Sequence, residues 1–203
     1  MTVMDIVMAT GNRDKVREIQ EMLTGSSFHI ISMKESGFTG NIVEDGDSFE
    51  ANALIKARAV WNFTGGVVIA DDSGLCIDYL GGEPGIYSAR FLGEDTPYEV
   101  KNAEFIRRLE GASGKERSAR FICAMAVIFP DGSSRVFKGA MEGEIAYEPK
   151  GTNGFGYDPI LYLPDRGCTS AELPPAEKNL ISHRGKALRQ VGECLSEFEK
   201  NKN

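Results

Sequence analysis

The sequence predicts a mixed α/β fold, with helices flanking one largely shared sheet, in two lobes around a central cleft. Three observations carry this. Short β-branched runs alternate with apolar stripes at helical spacing. The run 121–129 is apolar on both faces, as a central strand is. The 203 residues show no internal repeat or linker, so a single domain over residues 1–203 accounts for the chain.

Residues 5–9 read as a strand and Thr10-Gly11-Asn12 as a tight turn. Val16, Ile19 and Leu23 then mark the inner face of a helix capped by Asn12. Residues 28–33 form a second strand. An acidic, glycine-containing loop, 37–47, leads to a helix whose stripe is Phe49, Ala53, Ala57 and Val60. The strand 67–70 ends at Asp71-Asp72-Ser73-Gly74 and opens into a long irregular passage through Gly81 to Gly85, the sort of place where sites are built. Val100, Ala103, Ile106 and Leu109 give a third helix, and Asp131-Gly132 turns the central strand into a hairpin partner at 135–141. Residues 151–159 are the densest turn signal, followed by a strand at 160–163. The last helix starts from Ser182 as N-cap and repeats Ala187, Leu188, Val191, Cys194, Leu195 and Phe198, with 199–203 frayed.

Composition narrows the function. A net charge of −7, from 23 Lys and Arg against 30 Asp and Glu, argues against polymeric nucleic acid or a membrane surface as partner. Any nucleic-acid ligand is therefore small. No apolar run approaches the roughly 20 residues that span a bilayer. Residues 1–15 carry Asp5 inside their apolar run and lack a small-residue cleavage site, so no signal peptide is read and a cytoplasmic location is expected. Cys76, Cys123, Cys168 and Cys194 form no Cys-x-x-Cys pair and read as reduced, mostly buried thiols. With His29 and His183 the only histidines, a metal would be held by carboxylates, hence Mg²⁺, with Mn²⁺ as substitute.

Two helix starts carry the wrong charge. The exposed N–H groups of a first turn favour acidic residues, yet Arg13 and Lys15 follow the Asn12 cap, and Lys15 stands where a capping box would put Glu. His183 and Arg184 follow Ser182 in the same way, with Lys178 and Lys186 nearby. Taken singly, each is a solvated basic end; together, in an acidic protein, they point to a polyanion such as a nucleoside triphosphate resting on both. Candidate metal carboxylates are Glu44, Asp45 and Asp47 in the acidic loop, and Asp71 and Asp72. Neighbouring side chains of an extended segment point to opposite faces, so Asp71 and Asp72 should do different jobs, and periodicity leaves open which faces the cleft. A P-loop, a Rossmann glycine pattern and a nucleophile elbow are all absent.

Ordered motifs then carry a resemblance. Ala9-Thr-Gly-Asn-Arg-Asp-Lys15, Glu44-Asp-Gly46 with Phe49 and Asn52, Ile69-Ala-Asp-Asp-Ser-Gly-Leu75, Gly81-Gly-Glu-Pro-Gly-Ile-Tyr-Ser-Ala-Arg-Phe91, Gly154-Phe-Gly-Tyr-Asp-Pro159 and Ile181-Ser-His-Arg184 run in order along the chain. The set resembles the inosine triphosphatase-like (HAM1) family of pyrophosphatases acting on non-standard purine nucleoside triphosphates. The resemblance implies a two-lobed α/β fold, usually a homodimer, that cleaves the triphosphates of inosine, deoxyinosine and xanthosine to monophosphate and pyrophosphate with Mg²⁺. Carried over by position, Thr10, Gly11, Asn12, Arg13, Asp14 and Lys15 would hold the triphosphate, and Glu44 and Asp72 the metal. Asp72 would also accept the proton of the attacking water. Ser73, Phe155, Gly156, Tyr157, Asp158, Lys178, His183 and Arg184 would complete the nucleotide site, with Phe155 stacking on the base and His183 or Arg184 donating to it. Asn153 replaces the first of a glycine pair usual in the family, and its tolerance of positive φ is expected to preserve the loop. The Ser-x-Ser opening of the related Maf-like pyrophosphatases is missing, and a non-catalytic sensing module would be favoured only if Glu44 or Asp72 were absent.

Overall fold

The computed structural model describes residues 4–201. Seven strands form one open mixed sheet in the order β2-β1-β3-β4-β5-β6-β7. They are β1 (Met4–Met8), β2 (Phe28–Ser32), β3 (Val67–Ile77), β4 (Ser118–Ile128), β5 (Ser134–Ile145), β6 (Leu161–Leu163) and β7 (Cys168–Thr169). The helices are α1 (Arg13–Met22), α2 (Phe49–Thr64), α3 (Tyr98–Arg108), α4 (Pro175–Ile181) and α5 (His183–Lys200). β1 pairs parallel with β2 and with β3, Ile6 lying opposite Ile30 and Val67, whereas β6 is antiparallel to β5 and β7.

The chain divides into two compact units. The first comprises the described parts of 1–72, 123–139 and 184–203, the second 73–122 and 140–183. Each has its own core. In the first, Ile6, Met8, Ile69, Met125 and Val127 from the strands pack with Ile19 of α1 and with Ala187, Leu188, Val191, Cys194 and Leu195 of α5. In the second, Leu75, Ile77, Phe121, Ile145 and Leu161 pack with Phe105 of α3, with Leu109 just beyond it and with Tyr157. The expected inner face of α5 is thus the buried one, as is that of α2.

Several boundaries differ from expectation, each for a physical reason. β3 does not end at residue 70: it continues through Asp71 and Asp72 to Ile77, because Leu75 and Ile77 are fully buried core residues and both aspartates are buried against cations. Val100, placed in the apolar stripe of α3, is 52% exposed; the buried face holds Lys101, Asn102 and Phe105 instead, with Lys101 Nζ donating to the Ala89 carbonyl at 2.8 Å. Residue 160 closes a short turn ahead of β6 rather than opening the strand, and α4 and β7 were not anticipated. The final helix stays regular through Lys200, with Glu199 accepting from Ser27 Oγ at 3.2 Å, so the fraying expected from 199 is not found there. Expectations for residues 1–3 and 202–203 lie outside the described residues. Cys123 and Cys194 are buried and Cys76 and Cys168 half-buried, and among the described residues none of the four is disulfide-bonded.

Arg117 shows how the second unit is tied together. Its buried guanidinium donates to the carbonyls of Leu109 and Ala112 beyond α3, and of Ile145 and Ala146 at the end of β5, at 2.6–3.4 Å. It also stacks on Tyr147, 4.1 Å from the ring centroid. Replacing it with Met strands these acceptors, so Arg117→Met is expected to cost about 3 kcal/mol or more in urea denaturation.

Candidate active site

In the first unit the turn after β1 is shaped as its sequence predicts. Asn12 caps α1, its Oδ1 accepting from the backbone N–H of Asp14 at 2.9 Å and of Lys15 at 3.3 Å, and Thr10 Oγ1 accepts from the Asn12 N–H at 3.2 Å. Gly11, Asn12 and Arg13 are exposed and Thr10 is half-buried, while Asp14 pairs with Arg17 at 2.8 Å. Lys15 turns inward, its Nζ 2.9 Å from Asp71, which is fully buried. Arg184, at the start of α5, reaches the same carboxylate at 3.4 Å and pairs with Glu18 of α1 at 2.5 Å. Burial works against the Arg184 charge, but Asp71 and Glu18 outweigh it and hold its pKa above the ordinary value.

Asp72 points to the other face of β3, as strand geometry requires. Its Oδ1 accepts from Lys56 Nζ at 3.0 Å, and the same ammonium lies 2.5 Å from Glu44. Asp71 and Asp72 therefore do different jobs. Of the three acids in the loop before α2, Glu44 turns inward, while Asp45 and Asp47 are exposed. Burial pushes Asp72 above the usual carboxylate pKa and the Glu44 charge adds to this; Lys56 and Lys15 offset it only in part. Burial opposes the Lys56 charge, yet Asp72, Asp71 and Glu44 together raise its pKa.

The second unit holds the rest of the predicted residues. Asp158 is buried, accepting from Phe155 N–H at 2.9 Å, Lys178 Nζ at 2.7 Å and Ser170 Oγ at 2.8 Å. The half-buried Phe155 ring lies with its centroid 5.5 Å from Lys178 Nζ. A Cβ at Gly154, whose φ is +75°, would run into Asp158 Oδ2, so the loop needs glycine there. Asn153, by contrast, uses no left-handed conformation, Leu92 being the non-glycine residue with positive φ among those described. Its side chain instead donates to the Leu173 carbonyl at 3.0 Å. Tyr157 is a core residue with its hydroxyl on the Ser88 carbonyl at 2.7 Å, next to the half-buried Gly156. His183 is buried, with its ring 5.0 Å from that of Phe121, and Ser73 is half-buried. The boundary between the units falls between Asp72 and Ser73 and again between His183 and Arg184.

Sequence reasoning gave no role to Asn52, Lys56, Glu18 or Ser170. Asn52 and Lys56 did leave a signal: polar residues one turn apart on the otherwise apolar stripe of α2. Glu18 and Ser170 left none that a single sequence shows.

Two carboxylates meeting on one ammonium are also the donor set for a hard dication, since hard cations take oxygen ligands and Mg²⁺ is usually held by one or two carboxylates plus water and phosphate oxygens. Glu44 and Asp72, brought within reach of one ammonium, offer the two carboxylates that such an ion needs from the protein.

Cations gathered at two helix starts, with paired carboxylates on the adjoining strand, define an α/β protein suited to phosphoanhydride chemistry. The chain belongs to the Ham1 family, whose model matches residues 6–194. It is 45% identical to a dITP/XTP pyrophosphatase of Bacillus licheniformis, over 95% of this chain and 98% of that protein. A HAM1 protein structure from Coxiella burnetii superposes with a TM-score of 0.86 at 42% identity, covering 96% of this chain and 99% of that one. A structure from Mycobacterium abscessus, described as a nucleoside-triphosphatase / dITP/XTP pyrophosphatase, gives 0.74 at 39% identity over 93% and 98%.

Lys56 bridges Glu44 and Asp72, so Lys56→Met leaves two carboxylates facing each other. The variant is expected to lose about 3 kcal/mol at pH 8. Asp72, already raised, would rise further above its unfolded value; its ionised form then destabilises the fold, and the deficit should shrink as pH falls through the folded pKa. Denaturation at pH 8 and pH 5 checks the sign.

Proposed function

We propose that this protein hydrolyses the triphosphates of inosine, deoxyinosine and xanthosine to the monophosphate and pyrophosphate, removing them from the nucleotide pool. The observation that carries it is the convergence of Glu44 and Asp72 on one cation, beside a helix start whose Lys15 faces the neighbouring Asp71. The names of relatives matching over nearly the whole chain support the substrate class.

In this reading the turn 10–15 and Lys15 bind the triphosphate, and Lys15 neutralises charge on the departing pyrophosphate. Glu44 and Asp72 hold Mg²⁺ or Mn²⁺, which when bound supplies charge neutralisation and Lewis acidity at the phosphates. Asp72 orients a water at the α-phosphorus and accepts its proton, a role favoured by a pKa raised through burial. Ser73, Phe155, Gly156, Tyr157, Asp158, Lys178, His183 and Arg184 complete the nucleotide site. Phe155 stacks on the base, while Asp158, its oxygens already engaged by three donors, holds Phe155 and Lys178 in place. Hypoxanthine and xanthine present an acceptor oxygen at position 6 where adenine presents an amine; a donor from His183 or Arg184 there disfavours adenine by roughly 1–3 kcal/mol. The family resemblance carries a homodimer and a two-lobed single domain as parts of the same proposal, and a cytoplasmic location is proposed with them.

Incubation with Mg²⁺ and, separately, the triphosphates of inosine, deoxyinosine, xanthosine, adenosine, guanosine and thymidine tests the reading. Pyrophosphate should appear mainly with the first three; orthophosphate would indicate stepwise γ-cleavage and refute the mechanism. Asp72→Asn should lower kcat about 100-fold or more with little change in melting temperature. Because the proton acceptor must be ionised, kcat/KM should fall on the acid side in the parent, and this acid limb is the one that Asp72→Asn should remove from any residual activity.

A further inference from the structure

Glu44 sits on a loop and Asp72 on a strand, and besides the Lys56 ammonium that meets both carboxylates, one buried amide ties that loop to Asp72. Asn52, fully buried on α2, accepts the Gly46 backbone N–H through Oδ1 at 2.9 Å and donates from Nδ2 to Asp72 Oδ2 at 3.4 Å. Gly46 is two residues beyond Glu44, so the first bond fixes the loop that carries it. The approach is close: a Cβ on Gly46 would meet both Asn52 Oδ1 and Ala51 Cβ at 2.8 Å. Ser48, capping α2 through the Ala51 N–H at 3.2 Å, holds the loop to the same first turn.

The chemistry of the amide explains the residue type. One end of the link needs an acceptor for a backbone N–H, the other a donor to a carboxylate, and Asn presents both from one branch point without charge. Asp would lack the donor and Leu would lack both, leaving polar groups unpaired in a buried place. Lys56, one turn further along the same face, neutralises the carboxylates, but its flexible four-carbon stem does not fix the loop. We propose that Asn52 is a positioning residue for the divalent metal, setting Glu44 with respect to Asp72; this rests on the reading of those two carboxylates as its ligands. Asn52 acts through Gly46 and Asp72.

Mn²⁺ titrated into the full chain without nucleotide, followed by water-proton relaxation, tests this apart from turnover. Asn52→Ala and Gly46→Ala should each weaken Mn²⁺ binding about ten-fold or more. The double variant should be little weaker than either, because both cut one link. Gly46→Ala alters a loop outside the core, so the link stays testable if Asn52→Ala lowers the melting temperature. Folded variants that bind Mn²⁺ as the parent does would make Asn52 a structural residue and overturn the proposal. A parent chain that binds no Mn²⁺ would instead overturn the metal reading itself.

Discussion

A strand that carries two adjacent buried carboxylates has to be supplied with cations on both of its faces. Burying an uncompensated carboxylate costs several kcal/mol, and successive strand residues point in opposite directions, so Asp71 and Asp72 take their direct partners from different cations. The first unit is arranged around that demand. Lys15 from the start of α1 and Arg184 from the start of α5 answer Asp71, with Glu18 as second partner of the arginine. Lys56 answers Asp72 from the buried face of α2 and gathers Glu44 to the same point. Two of the charges that are unfavourable for each helix alone, Lys15 and Arg184, are thereby explained within the folded chain before any ligand is considered.

Much of this was legible from local chemistry. Asn12 caps α1 by a bond that needs only its own turn, and the stripes of α2 and α5 repeat at a period the helix imposes. What was misread depends on distant partners. β3 seemed to end at Ala70 because two charges interrupt an apolar run; the cations that allow the strand to continue lie 56 residues before Asp71 at Lys15 and 113 after it at Arg184. Val100 was assigned to the buried face of α3 on hydrophobicity, but Lys101 takes that place by donating to Ala89. α4, seven residues between turn signals and opened by Pro175, is too short for periodicity to register.

The loop before β6 shows a different limit. Asn153 was expected to survive in a glycine position through its tolerance of positive φ, yet the left-handed conformations fall on Gly151, Gly154 and Gly156. Asn153 contributes a side-chain bond to Leu173 that a glycine cannot make. A family pattern therefore identifies where glycines occur without showing which of them the backbone requires. At Gly154 the requirement is steric as well as conformational, since Asp158 fills the space a Cβ would take.

The pairing of these cations before substrate arrives bears on how a triphosphate would be bound. An exposed lysine meeting a phosphate gives up water; Lys15 already holds Asp71 with only 14% of its side chain exposed, so it is largely dehydrated beforehand. Its desolvation has been met during folding, offset by the carboxylate, and a phosphate has to share or displace that partner. The contact thus becomes an exchange between anions rather than a fresh burial of charge. Such an exchange favours a ligand that offers several anionic oxygens at once, because a single one gains little over the carboxylate it displaces. On this argument the selectivity of the proposed site for triphosphates over monophosphates resides partly in Asp71, which sets what an incoming anion must outbid.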